Sequence, residues 1–333
     1  MARRVTMSDV AREAGFSLMT VSRVVNNKGE VSAATRQHIL GVIERLGYRP
    51  SGIARGLATK RTRTLGLVIP DIANPFFSDV ARGAEHAAYA EGYNVFLCNT
   101  EEDPGRELSM LQSLEEKRVD GVVLCSSRLG KDELCAALNS HSAVVLVNLR
   151  LDKDHAGTVL LDDELGGRIA TQHLLRTGHQ DVGFLAGPPT SQSSRRRASG
   201  YRTALAAADL PYNAAWVRPC SPMVDGARET ARELLITQPE LTALFCYNDL
   251  VAVGALQACA DLGRRVPDDL ALVGFDDIPM AALVTPPLTT CHVPRYDLGD
   301  QAMRLLLKRI DGLAEVSNEI VLPPELVVRA SAP

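Results

Sequence analysis

Several polar groupings, each set at the end of a hydrophobic run of β type, carry side chains suited to gripping a small polar molecule. Pro70-Asp71-Ile72-Ala73-Asn74-Pro75-Phe76-Phe77 follows the run Leu65–Ile69, and Asn148 follows Ala143–Val147. Gly187 to Arg197, with Ser191, Ser193, Ser194 and three consecutive arginines, follows Val182–Ala186; Tyr247-Asn248-Asp249 and Gly274-Phe275-Asp276-Asp277 close two later runs. Carboxylates, amides and a guanidinium both give and accept hydrogen bonds, and an aromatic offers a stacking face, so the set suits a polyhydroxylated ring. Each grouping has a plainer reading beside it. Asp249 and Asp277 are candidates for helix N-caps, Phe77 for core, and Arg195 and Arg196 for a solvated helix start as readily as for selection of an anionic ligand.

Catalysis is the rival chemistry, in the form of an α/β sugar-processing enzyme with a regulatory head. Against it, the chain lacks Gly-x-Ser-x-Gly, a Gly-x-Gly-x-x-Gly after a strand and a phosphate loop with lysine. Adjacent carboxylates such as Asp276 and Asp277 on one strand point to opposite faces and make a poor acid/base dyad. No Cys-x-x-Cys or His-Glu-x-x-His is present, and His173 and His179 lack the spacing of a helical metal pair, so neither metal nor cofactor is expected. The seven cysteines (98, 125, 135, 220, 246, 259, 291) are scattered and mostly inside apolar runs, which predicts reduced core residues.

A second chemistry lies at the N-terminus. Residues 1–63 hold twelve Lys/Arg against four Asp/Glu, whereas the rest holds 24 against 36, a contrast hidden in the overall charge of −4. A basic head on an acidic body is the footprint of one module that meets a polyanion and one that does not. Within the head, Asp9 to Asn26 has the parts of a helix-turn-helix: Ala11 small enough for close helix approach, Gly15 for a turn with positive φ, and Val10, Phe16, Val21 and Val25 as a shared apolar wedge. Ser17 then caps a second helix whose first residues face a major groove. Any helical hairpin shares the apolar spacing and remains the alternative.

These groups need elements to hold them. Three helical patterns fill residues 6–47, the first opened by a Thr6-x-x-Asp9 capping box, and Gly47-Tyr48-Arg49-Pro50 stops the third. From Leu65 onward β-type runs alternate with helical stretches, and N-cap-plus-proline pairs at Asn74-Pro75 and Asp103-Pro104 open two helices. Such alternation predicts an α/β body with parallel sheets covered on both faces. Some 270 residues of this rhythm is generous for one sheet, so two doubly wound subdomains with a cleft between them are expected, with ligand at the carboxyl ends of the strands. The expected boundaries are a head at 1–49, a hinge and linker at 50–64 and a body at 65–333, the body divided into 65–162 with 294–322 and 163–293 with 323–333. No apolar run approaches the length that crosses a bilayer and no signal-like stretch opens the chain, so a cytoplasmic protein is expected, and a periplasmic solute carrier is disfavoured.

Val10-Ala11, Gly15, Ser17, Thr20-Val21-Ser22-Arg23-Val24-Val25-Asn26, Val31-Ser32, Thr35-Arg36, Leu46-Gly47-Tyr48-Arg49-Pro50 and Ala54-Arg55-Gly56-Leu57, in that order, resemble the lac/gal repressor family, and the later signatures extend the likeness over the whole chain. The resemblance implies a periplasmic-binding-protein-like body and a repressor that binds, as a homodimer, a pseudo-palindromic DNA operator under control of a small effector, a sugar or sugar derivative, bound in the cleft. Ligand closure would shift one subdomain against its dimer mate and so change the separation of the two heads. By position it implies DNA contacts from Ser17, Leu18, Met19, Thr20, Ser22, Arg23, Asn26, Tyr48, Ala54, Arg55 and Leu57. Leu18 and Met19 are apolar and sense thymine methyls or fill the groove; Arg23 is the best candidate for a guanine or phosphate; Leu57 resembles a minor-groove wedge. Gly52 and Gly56 depart from a good hinge helix, each costing about 0.8–1 kcal/mol relative to alanine, which predicts a hinge that folds on DNA or one that uses the glycines for close crossing. In the body, Arg197-x-x-Gly200-Tyr201, Asn248-Asp249 and Gly274-Phe275-Asp276-Asp277 match family elements, which singles out Arg197, Asn248 and Asp276 as effector contacts, followed by Asp71, Phe76 and Asn148. The helices 78–91 and 103–118 are expected on the dimer surface, the first through Ala81-x-x-Ala84.

Overall fold

The computed structural model describes residues 5–29, 31–49, 61–151, 156–313 and 319–333. Packing divides the chain into two units, Met1–Thr62 and Arg63–Pro333.

The first unit holds α1 (Met7–Ala14), α2 (Leu18–Val25) and α3 (Ala33–Leu46). Its capping box is complete: the Thr6 hydroxyl accepts from the Asp9 N–H at 3.3 Å and the Asp9 carboxylate from the Thr6 N–H at 3.0 Å. Gly15 ends α1 at φ 71°, a left-handed conformation that costs glycine little. Val10, Ala14, Val21, Val24, Ile39, Val42 and Tyr48 form the core. The expected wedge is therefore corrected at two places. Val24 takes the buried position while Val25 is only partly covered, and Phe16 remains 37% exposed, its ring edge-on to His38. Directly after the left-handed Gly15, the Phe16 ring lands beside α3 instead of between α1 and α2.

The second unit contains two six-stranded sheets. β1 (Thr64–Ile69), β2 (Asn94–Asn99), β3 (Gly121–Cys125), β4 (Val144–Val147) and β5 (Gly157–Leu161) build the first, and β6 (Val182–Ala186), β7 (Val217–Pro219), β8 (Ala243–Cys246), β9 (Ala271–Asp276) and β10 (Thr289–His292) the second. The chain then returns β11 (Glu319–Leu322) to the edge of the first sheet and β12 (Glu325–Val327) to the edge of the second, giving the orders β11-β5-β4-β3-β1-β2 and β12-β10-β9-β8-β6-β7. All pairs are parallel except β10 with β12. Both faces of each sheet are covered, as the strands' continuous burial requires. Leu65, Leu67 and Ile69 pack with the helices Pro75–Ala90 and Arg295–Ile310, whereas Val68 turns to Leu111, Leu114, Leu134 and Leu138 on the opposite side. In the second sheet Phe184, Phe245 and Phe275 meet Leu174 and Tyr201, while Leu185, Leu244 and Leu272 meet Leu234 and Val251.

The four strands without a recognised apolar run share a reason. β7 (Val-Arg-Pro) and β11 are partly exposed edge strands, β12 is a three-residue edge, and β10 reads Thr-Thr-Cys-His. The β10 hydroxyls are buried because they have partners: Thr289 donates to the Arg329 carbonyl at 2.9 Å and Thr290 to Asp249 at 2.6 Å.

At two crossings with a glycine on each helix, helix pairs approach more closely than any side chain would allow. A Cβ on Gly83 would lie 2.1 Å from the Tyr296 carbonyl oxygen and one on Gly299 1.9 Å from that of Val80. Likewise, a Cβ on Gly167 would lie 2.2 Å from the Arg197 carbonyl oxygen and one on Gly200 2.1 Å from that of Glu164. The first crossing corrects the reading of Ala81-x-x-Ala84 as a dimer face: Ala84 is fully buried within the chain beside Gly299, and Ala81 packs partly on the same core. All seven cysteines are free, and six are buried. Among the described residues no helix is long and apolar enough to cross a membrane.

Candidate functional site

The carboxyl ends of both sheets' strands converge on a narrow cavity of about 360 Å³. Asn74, Phe76 and Phe77 follow β1, Glu102 follows β2, Ser126 and Arg128 follow β3, and Asn148 follows β4. From the second sheet come Ser193 and Arg197 after β6, Pro222 after β7, Tyr247 and Asn248 after β8, and Asp276 at the end of β9. Phe76, Asn148, Arg197, Asn248 and Asp276, five of the six candidates, are thus brought together from positions 200 residues apart.

Arg197 is the centre of the arrangement. It sits on the helix Gln192–Ala207, held against the helix Asp163–Arg176 by the Gly167/Gly200 crossing. Its Nε donates to Asp163 at 2.8 Å, its Nη1 to the Tyr247 carbonyl, and its Nη2 lies 3.8 Å from Asp276. The guanidinium lies 3.5 Å from the centroid of Phe275 and 4.8 Å from that of Tyr247. A buried cation with two carboxylates stays charged: they outweigh its desolvation and raise its pKa. Asp276 responds in the opposite sense. Burial pushes its pKa up to about 7 although Arg197 and Arg295 pull it down, so its charge is poised near neutrality.

The first sheet contributes a second guanidinium. Arg128 forks onto Glu102, with Nη2 at 3.1 Å, and its Nη1 donates to the Ser126 carbonyl at 2.6 Å. Beneath it the buried Glu107 accepts from the Arg128 N–H at 2.8 Å and from the Ser127 hydroxyl, fixing the loop. Arg128 and Glu102 were not anticipated. The rule that picked the loop after the first run, applied to the loops after Tyr93–Cys98 and Gly121–Cys125, selects both.

Other candidates serve as supports. Asn148, at φ 54°, accepts from the Leu161 N–H at 3.1 Å, tying β4's end to β5. Asn248 caps the helix Asp249–Asp261 by accepting from the Val251 N–H at 2.8 Å and donates to the Pro222 carbonyl at 3.1 Å. Asp71 does not line the cavity; its carboxylate accepts from the Ala73 N–H at 2.9 Å within its own turn. The N-cap readings of Asp249 and Asp277 are corrected. Asp249 is buried in the first turn of its helix, accepting from Thr290 and from the Ile278 N–H at 2.8 Å, and burial lifts its pKa well above the carboxylate range. Gly274 is obligatory there, since a Cβ would lie 2.2 Å from the Asp249 oxygen. Asp277 accepts from Arg329 at 2.7 Å and faces His292 at 3.0 Å. Asp276 and Asp277 adopt φ 104° and 53°, strained for residues with a Cβ. Arg295 holds that strained pair: Nη1 donates to both carbonyls, at 2.6 Å for Asp277, while Nε donates to Asp79 of the helix Pro75–Ala90 at 3.0 Å.

The head offers a different surface. Ser17 caps α2 by accepting from the Thr20 N–H at 3.2 Å, and its hydroxyl meets that of Thr20 at 2.9 Å. Leu18 and Met19 follow at 51% and 67% exposure, unusual for large apolar side chains at a helix start. Asn26 ends α2, donating to the Ser22 carbonyl at 2.8 Å, and Arg23 lies in the last turn. Tyr48 is 9% exposed and belongs to the head's core. Ala54, Arg55, Leu57 and the hinge glycines lie outside the described residues.

The family model for bacterial regulatory proteins of the lacI type matches residues 6–51, and that for periplasmic binding proteins and the sugar-binding domain of the LacI family matches residues 62–330. The chain belongs to the LacI family. Among LacI-family relatives, the transcriptional repressor PurR of Haemophilus influenzae (strain PittEE) is 37% identical over 98% of each chain. The ribose operon repressor of Halalkalibacterium halodurans is 39% identical over 97% of this chain and 96% of its own. The crystal structure of the lac repressor dimer bound to operator and the anti-inducer ONPF superimposes with a TM-score of 0.88 at 28% identity over 99% of each chain. The protein is accordingly a DNA-binding transcriptional repressor with a ligand-binding body, and its relatives are regulators, not enzymes.

Proposed function

We propose that the protein is a cytoplasmic homodimeric repressor of a pseudo-palindromic operator, released or tightened by a neutral polyhydroxylated effector, a sugar or sugar derivative. The observation that carries the effector class is charge balance in the cavity: Arg128 is matched by Glu102, and Arg197 by Asp163 and Asp276. Donors and acceptors are plentiful but net charge is not, and Phe76, Phe77 and Tyr247 supply apolar faces. Arg197, Asp276, Asn148 and Phe76 make the ligand contacts in this reading, and Asn248 shapes the wall between β7 and β8. Asp71 takes a lesser part, through its turn. The narrowness of the cavity implies that its walls part to admit a ring. The ribose operon repressor among the relatives favours the same class.

In the head, Leu18 and Met19 enter the major groove, Ser17, Thr20, Ser22, Arg23 and Asn26 contact bases or backbone, and Tyr48 supports them from the core. Ala54, Arg55 and Leu57 are assigned to the minor groove on family position alone. A thermal-shift screen of free sugars against the full chain, followed by operator retardation with the hits, tests the reading. A stabilising sugar that changes retardation is expected. Sugars that bind without altering retardation, or that are turned over, overturn it.

A further inference from the structure

Backbone conformation marks out part of the cavity wall. Glu102, Ser126, Asn148 and Asp276 line the cavity with φ of 60°, 49°, 54° and 104°, each at or just past the carboxyl end of a different strand. Elsewhere Asn27, Arg118 and Asp209 take such angles just after helices, where a left-handed residue is a common terminator. The four in the cavity follow strands, and a left-handed residue with a Cβ persists only where its surroundings hold it, as at sites that clamp a ligand. Asn148 and Asp276 are already among the effector contacts. The other two hold one side chain between them: Arg128 forks onto the Glu102 carboxylate through Nε and Nη2 and donates to the Ser126 carbonyl through Nη1. A guanidinium has five N–H groups, so one on each terminal nitrogen has no partner among the described residues. Neither loop needs that ion pair. Glu107 fixes the loop after β3 through the Arg128 N–H and the Ser127 hydroxyl, and the Glu102 N–H donates to the Pro70 carbonyl at 3.1 Å to hold the loop after β2. A buried ion pair adds little net stability, so holding the fold does not account for Arg128 and Glu102 in the cavity wall. The Tyr247 phenol, from the second sheet, shows where the two guanidiniums converge: burial raises its pKa, while Arg197 and Arg128 both pull it down.

We infer that Arg128 and Glu102 are specificity-determining contacts of the effector, a hydroxyl clamp supplied by the first sheet as Arg197 and Asp276 supply one from the second. A sugar hydroxyl both donates and accepts, so a guanidinium beside a carboxylate serves it in both senses while adding no net charge. Two such pairs on the two sheets grip hydroxyls at two edges of one ring, a demand that a ring with hydroxyls along a single edge does not meet. The clamp rests on the neutral, hydroxylated effector proposed above, and adds the residues and the ring edges by which it is held.

The test titrates the full chain calorimetrically with free pentoses and hexoses, and then with each monodeoxy analogue of the tightest-binding sugar. In the wild type, at least two analogues are expected to bind about tenfold or more weakly than the parent. Glu102→Gln is expected to weaken the parent about tenfold, yet to bind one of those two analogues within about twofold of the wild type, because the contact it lacks is one that analogue never makes. Arg128→Lys, which keeps the charge and loses the fork, singles out the same analogue. Melting temperature checks that each variant is folded, and either variant alone suffices. Uniform weakening of the parent and every analogue marks a structural role and overturns the clamp, as does unchanged affinity in a folded variant. One sensitive hydroxyl or none in the wild type overturns it without either variant and leaves the sugar reading standing. Binding of no sugar by the wild type removes the sugar reading and the clamp with it.

Discussion

In the head, seven candidate DNA-contacting residues fall between Ser17 and Asn26, on one eight-residue helix and its two caps. In the body, the cavity draws on loops following eight different strands, and its central arginine is positioned by a glycine crossing some 30 residues upstream. The head's residues are exposed or half-buried and locally held, so changing one costs the fold about 1 kcal/mol at most. The cavity's residues are buried and mutually supporting, so recognition and stability there are one property.

Substitutions break or sharpen that contrast. Arg197→Met leaves Asp163 and Asp276 buried without their cation, and a loss of about 3–5 kcal/mol in urea unfolding is expected, together with loss of effector response. If the loss were under 1 kcal/mol, the cavity would be as independent of the fold as the head. Gly167→Ala forces a methyl to within 2.2 Å of the Arg197 carbonyl oxygen and should cost about 1–3 kcal/mol while weakening effector binding through the displaced arginine. Unfolding and calorimetry on the same variant separate the two effects.

The next effect is a pH dependence. Asp276, raised to about 7, holds in the folded state a proton that the unfolded chain releases in the ordinary carboxylate range. Its contribution to stability is therefore lost as pH climbs from about 4 through 7. A ligand hydroxyl donated to the ionised carboxylate gains over the same interval, so effector affinity should rise about tenfold between pH 6 and pH 8 and become flat in Asp276→Asn. Smallest is Ser17→Ala, which removes one helix cap and should cost about 1 kcal/mol, with weaker operator retardation and unchanged effector affinity.

Much of this was legible in the sequence, for physical reasons that differ by region. Caps are local signals, and Thr6, Ser17, Asn74 and Asp103 all serve as their residue types indicate. The main strands announced themselves as apolar runs because both sheet faces are covered. The strand Thr289–His292 did not, since its burial depends on partners at Asp249 and Arg329 that lie elsewhere in the chain. The same limit applies to the site. Asn148, Asn248 and Asp276 lie at strand ends, Phe76 and Arg197 on the helices that follow β1 and β6, and Arg128 and Glu102 in loops that follow β3 and β2; what marks out that last pair is its pairing across the chain and the support of Glu107, which no local pattern displays. Asp249 and Asp277 looked like caps because a carboxylate before a helix usually is one; here tertiary partners claimed both.

The reach of Arg295 has a mechanical meaning. One planar group is bolted to the backbone of the strained Asp276–Asp277 pair on one side and to Asp79 on the other. Any displacement of that loop must either tear this fork or drag the helix Pro75–Ala90 along with it. The molecule thus owns a tie-rod across its two halves, short and stiff, whose far end is anchored before any guest arrives.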